Sequence, residues 1–198
     1  MKSKKNEFLT GVIIALVLTI AFVIKVQAAE PVLDEPLAGQ TIYYEIYPQN
    51  NEIEESRQRL EEQHISIPND VEYWCKVYGE EYGICPEVLE AICWTESNCI
   101  AEISSPDRSC KGLMQIKPSS HSKRMARINA KDIYGVRDNI HTGADYLAEL
   151  MENDDLPTAL TIYNGDSGAI ERARKGEYSS YVTKVLGIAQ DLENVHFR

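Results

Sequence analysis

The chain reads as an all-α protein built around one lysozyme-sized helical domain, and three observations carry that reading. From Asp70 onward the apolar residues recur at helical spacing. No stretch alternates apolar and polar residues as a half-buried strand would, and no internal repeat is present. With 198 residues, 43% of them apolar and 26% charged, the chain has enough material for one real core and lacks the bias of a disordered or many-span sequence. Its net charge of -11 excludes nucleic-acid binding through the overall field.

The elements follow in order. Lys2, Lys4 and Lys5 precede an apolar run over residues 8–24, and Val26-Gln27-Ala28 supplies small residues for cleavage. This pattern makes residues 1–28 either a signal peptide or an uncleaved N-terminal membrane anchor. Either way the remainder is expected outside the cytoplasm, secreted or anchored, with the membrane touched only through this segment. Residues 29–65 read as an acidic stalk. Pro31, Pro36 and Pro48 mark its first part as an extended spacer, and Asn51 to His64 as a charged, solvated helix. Pro68-Asn69-Asp70 marks a boundary, and residues 66–198 form the expected globular domain.

Within it, Val71, Trp74, Cys75 and Tyr78 make a first stripe ended by Gly83. Pro86 opens a second helix with Glu87 in its first turn and Leu89, Ile92 and Cys93 on one face. Asp138 or Asn139 is placed to cap a third, whose stripe runs through Ile140, Ala144 and Leu147. Leu156-Pro157 opens another that Gly165 stops, and Val182, Val185, Ala189 and Leu192 mark a terminal helix. The five cysteines (75, 85, 93, 99 and 110) follow the export signal, so oxidation is open to them, but an odd count leaves at least one unpaired within the chain. Cys99 and Cys110 flank one loop that a bridge would restrain. The absence of C-x-x-C and H-E-x-x-H spacing argues against a metal site.

One residue breaks the pattern. Glu96 continues the apolar face of Leu89, Ile92 and Cys93 and sits in the last helical turn, where the dipole disfavours a negative charge. Desolvation and dipole both raise its expected pKa. A carboxylic acid still protonated near neutrality is what acid-catalysed glycoside cleavage requires.

Four short segments then occur in order: Glu96-Ser97, Gly112-Leu113-Met114-Gln115, Ala159-Leu160 with Tyr163-Asn164, and Tyr181-Val182. Together they resemble the soluble lytic transglycosylase family, whose lysozyme-like fold is related to goose-type lysozyme. The resemblance implies peptidoglycan glycan strands as substrate and Glu96 as the single catalytic acid/base. It implies that Ser97 hydrogen-bonds near the site and that Met114 and Gln115 line the glycan groove. Tyr163 and Asn164 are implied to position acid and sugar, and Tyr181 to stand in the groove. No cofactor and no metal are implied. Family members also open the wall locally for larger assemblies, so secretion or conjugation machinery is the implied protein partner. The loop before the glycine departs from the family's small Gly-Ala pair, reading Ser109-Cys110-Lys111. Asp107 and Asp166 are the nearest acids in the motifs, and both fall in turn-like loops. Two other readings stay open: a hydrolytic lysozyme on the same fold, and a non-catalytic glycan-binding component of an envelope-spanning machine.

Overall fold

A computed structural model describes residues 50–196, all within one compact unit. The expected signal or anchor and the first part of the stalk lie outside the described residues. The described elements are all helices, and the only β pairings among the described residues are two isolated bridges, Ser104 with Lys111 and Lys111 with Ile116. No described helix is long and apolar enough to cross a membrane.

Helix α1 spans Asn50–Glu62, α2 Asn69–Tyr82, α3 Pro86–Ser97 and α4 Pro118–Arg127. They are followed by α5 (Val136–Met151), α6 (Leu156–Tyr163), the short α7 (Ile170–Ala173) and α8 (Ser180–His196). The expected signals act where they stand. Gly83 ends α2 in the left-handed region at φ 68° and returns its N–H to the Gly79 carbonyl. Pro86 opens α3, where its missing N–H costs nothing. Asp155 caps α6, accepting from the Thr158 amide at 3.0 Å.

The core lies between α3, α8, α2 and α5. Leu89, Ile92, Leu113, Met114, Ile140, Leu147, Leu160, Val182 and Val185 are all fully buried there. Removing such side chains from water is the main term that holds the helices together, at about 1.5–3 kcal/mol each.

Three expectations need correction. The segment after Asn50 is helical, but it is not a free stalk. Ser56 and Leu60 are buried against α8, and Arg59 makes a bidentate pair with Asp191 of α8, at 2.7–3.1 Å. A boundary at residue 66 therefore cuts a packed unit. Neither Asp138 nor Asn139 caps α5, which begins earlier, at Val136. Asp138 instead accepts from the Lys131 and Asp132 amides, and Asn139 is wholly buried. All five cysteines are free. Cys99 packs against the core and Cys110 faces a cleft, so the loop between them is closed by other means.

Candidate active site

The site starts from the end of α3. Its inner face buries Leu89, Ile92 and Cys93, and the same face one turn on presents Glu96. Asn98, left-handed at φ 50°, terminates the helix and gives its N–H to the Cys93 and Trp94 carbonyls. Ser97 is buried and does not face the cleft. Its hydroxyl reaches the Cys93 carbonyl at 2.9 Å and the Leu113 carbonyl at 2.8 Å, tying the helix end to the segment across the site.

That segment is a tight loop held by polar pins. Lys111 and Ile116 exchange backbone hydrogen bonds at 2.9 and 3.0 Å. Gly112 sits at φ 77°, and a side chain there would meet the Asn139 amide nitrogen at 2.3 Å, so the position requires glycine. Asn139 Oδ1 accepts from the Met114 amide at 2.8 Å, while its Nδ2 donates to the Lys111 and Ile133 carbonyls. The Tyr163 hydroxyl donates to the Met114 carbonyl at 2.9 Å. Met114 itself is fully buried, its sulfur lying where a side chain at Gly143 would come within 2.3 Å. So Met114 lies in the core and carries the loop, and Gln115, folded back onto the Gly112 carbonyl, is the residue of this motif that reaches the cleft.

Glu96 lines a recess of about 380 Å³ with Ile103, Ser104, Pro106, Gln115, Tyr163 and Asn164 among its walls. Its Oε1 accepts from the Tyr181 hydroxyl at 2.7 Å, an 85-residue crossing from the first turn of α8. Burial raises the Glu96 pKa, while the Tyr181 bond and the Lys184 charge pull the other way, and burial prevails. The hydroxyls of Tyr163 and Tyr181 are pushed far above their ordinary range by burial, so both remain donors. Thus Tyr181, read from the sequence only as a groove tyrosine, is the group that holds the acid, and Tyr163 holds the loop.

Among the described residues no second carboxylate lines this recess. Asp107 is held near pKa 2, chiefly by the Ser105 hydroxyl at 2.5 Å and by the Ser109 amide, which makes it a turn-forming carboxylate. No described group of three or more His, Cys, Asp and Glu side chains is arranged to hold a metal ion.

Two contributors lie outside the four motifs. Asn139 looked like a helix cap, and its only sequence signal as a pin was a polar residue beside an apolar stripe. A second recess, of about 540 Å³, continues the first through their shared Gln115, Tyr163 and Asn164, and adds Tyr146 and charged groups from α4 and α5. Those residues lie outside every quoted motif.

Comparison with known proteins gives one family match: a model described as the transglycosylase SLT domain aligns with residues 74–185, which contain every site residue named above. A search of curated proteins finds no match.

Proposed function

Because the chain belongs to the transglycosylase SLT domain family, whose members are lytic transglycosylases that cleave peptidoglycan, we propose that it breaks the β-1,4 bond between N-acetylmuramic acid and N-acetylglucosamine and leaves a 1,6-anhydro end, with Glu96 as its single acid/base. The observation that carries this reading is a lone, desolvated carboxylic acid in the recess, oriented by Tyr181 and without a partner carboxylate beside it. Most glycosidases need two carboxylates, one to protonate the leaving oxygen and one to attack or to activate water. A single acid suits a route in which the substrate supplies the second group.

In that route protonated Glu96 gives its proton to the glycosidic oxygen, and the C1–O bond breaks. The substrate's own acetamido group stabilises the developing cation at C1. Glu96, now a carboxylate, takes the proton from the sugar's 6-hydroxyl as that oxygen closes on C1. The proton returns to its origin and no water is consumed. Burial serves both halves: it keeps Glu96 protonated at the start and limits competing water. The Tyr181 bond steadies the carboxylate through the cycle. Gln115 and Asn164, at the margin of the recess, are the groups in reach of sugar hydroxyls and amides.

Peptidoglycan lies outside the cytoplasmic membrane, so the action site is extracytoplasmic. We assign residues 1–28 the export role, as signal or anchor.

The test is a mass spectrum of fragments released from purified peptidoglycan by the protein and by Glu96→Gln. Anhydro-ended fragments that vanish with the variant are the expected result. Reducing-end fragments would make the enzyme a hydrolytic lysozyme on this fold. Fragments released equally by the variant would remove Glu96 from the chemistry.

A further inference from the structure

The loop that brings Gln115 to the Glu96 recess is fixed from two sides. On one side stand the pins from Asn139 and Tyr163 and the pairing of Lys111 with Ile116. On the other side the chain passes into helix α4, whose first residue, Pro118, follows Gln115 closely. Gln115 itself stands in the left-handed region at φ 46°, with its amide and its side chain both turned onto the Gly112 carbonyl, at 3.2 and 2.9 Å. A residue other than glycine holds such a conformation only where its surroundings fix it. The placement of α4 is therefore part of the placement of Gln115.

No buried apolar side chain supplies that placement. None of the α4 residues is buried, and none belongs to the core cluster. The described fastenings of α4 to α5 are ring contacts and ion pairs, and the ion pairs converge on Asp145. This buried carboxylate of α5 takes Arg124 and Arg127 of α4 on its Oδ2. Its Oδ1 accepts from the Tyr82 hydroxyl of α2 at 3.2 Å, so both oxygens are occupied. Burial alone would push Asp145 upward, but the two guanidinium groups hold it below its usual range, so it stays ionised in its place. Arg124 is itself largely buried, pairs also with the exposed Glu149 at 2.7 Å and stands over the Tyr146 ring. Held in this way, Ser120, His121 and Arg124 line the same recess as Gln115, Tyr163 and Asn164.

We infer that Asp145 is a positioning residue for the cleft: it seats α4 through Arg124 and Arg127, and so fixes both the wall of the recess that Gln115 shares and the chain that leaves Gln115. This rests on the reading of the Glu96 recess as a peptidoglycan-cleaving site. Asp145 lines neither that recess nor its neighbour, so its effect reaches the substrate only through α4. Loss of the seat loosens the wall and leaves Glu96, Tyr181 and the inner pins of the loop as they are. Capture of a glycan strand weakens, while the chemistry of a strand once bound continues.

The test compares wild type, Asp145→Asn and Arg127→Ala on soluble peptidoglycan strands, with Glu96→Gln as the blank. Asp145→Asn keeps the shape and removes the charge that both guanidinium groups share. Arg127 is 60% exposed, so Arg127→Ala keeps the fold and gives a milder form of the same loss. KM is expected to rise about tenfold in Asp145→Asn and about threefold in Arg127→Ala, with kcat within about twofold of wild type. Hydrogen exchange is expected to quicken at the α4 amides while those of α3 and α8 keep their protection. A purely structural role lowers the folded fraction instead, so kcat falls at unchanged KM and exchange quickens throughout. That result overturns this inference and leaves the proposed reaction standing. So does an α4 that loosens with no change in KM, or one that exchanges at the wild-type rate in both variants. Should Asp145→Asn fail to fold, Arg127→Ala decides by the same two readings. Absence of Glu96-dependent cleavage by the wild type overturns the proposed reaction and this inference with it.

Discussion

Replacing Tyr181 by Phe removes one hydroxyl and the 2.7 Å hydrogen bond to Glu96 while keeping the ring in place. That bond favours the ionised carboxylate and opposes the effect of burial. A hydrogen bond to a charged group contributes about 1.5–3 kcal/mol, and each pKa unit corresponds to about 1.4 kcal/mol. Losing it raises the Glu96 pKa further, because burial is then opposed only by the Lys184 charge. The proposed reaction needs the protonated acid, so activity is expected to decline as pH rises through this pKa, and the alkaline limb in Tyr181→Phe to move to higher pH. The rate at the optimum falls in the same variant, by about tenfold, because the carboxyl loses the contact that aims it. The assay is the initial rate of anhydro-fragment release between pH 4 and 9, with Glu96→Gln as the blank. An alkaline limb that stays in place or moves to lower pH refutes the assignment of Tyr181 as the partner that tunes the acid.

Two further outcomes follow from buried polar groups. Asn139→Ala leaves the Met114 amide and the Ile133 carbonyl without the side chain they bond to, and the Lys111 carbonyl with the Ile116 amide alone. The expected loss is about 3–5 kcal/mol in a urea titration, and a loss below about 1 kcal/mol would show that water replaces the side chain easily. Glu90 is buried with one carboxyl oxygen unpartnered, and burial pushes its pKa up to about 8. His196 faces it from α8, Glu87 from its own helix and Glu72 from α2. A carboxyl whose folded pKa is raised stabilises fully below its unfolded value, near 4.5, and loses that contribution as pH rises toward 8. His196, whose pKa is raised mainly by Glu87, adds a loss of the same sign. Thermal unfolding should therefore show the protein weakening by about 2–4 kcal/mol from pH 5 to 8. Glu90→Gln should flatten most of that slope, and an equally steep slope in the variant would assign it elsewhere.

The sequence made the helices legible where packing is local and periodic. Stripes such as Val71, Trp74, Cys75 and Tyr78 need only a regular spacing and a glycine stop to be read. Helix α4 escaped because none of its residues is buried and it lies on α5 largely through Arg124 and Asp145. The docking of α1 escaped for a related reason: Arg59 and Asp191 are 132 positions apart, and no local pattern encodes a pairing at that distance. Glu96 stood out as a charge on an apolar face, and the structure keeps it there. The bond that holds it did not, since the motif marks Tyr181 only as a groove tyrosine and no local pattern pairs it with a residue 85 positions away. Ser97 and Met114 read as groove residues, but their atoms go into holding two backbone segments together. A motif records that a residue is needed near a site without recording whether it faces the ligand or the scaffold.

The docking of α1 on α8 also bears on what the smallest working piece of this protein is. The segment aligned with the family ends at Val185, inside α8, whose first turn carries Tyr181. The remainder of α8 and all of α1 lie outside it, and they are fastened to one another by Arg59 and Asp191 and by Ser56 and Asn194. A fragment cut at the family limits would sever the helix that steadies the acid four residues beyond Tyr181, and would discard the helix braced against its far half. The chemistry is inherited from the shared segment. The flanking residues outside that segment brace the helix that carries Tyr181, and substitutions there would retune the site without touching a single motif.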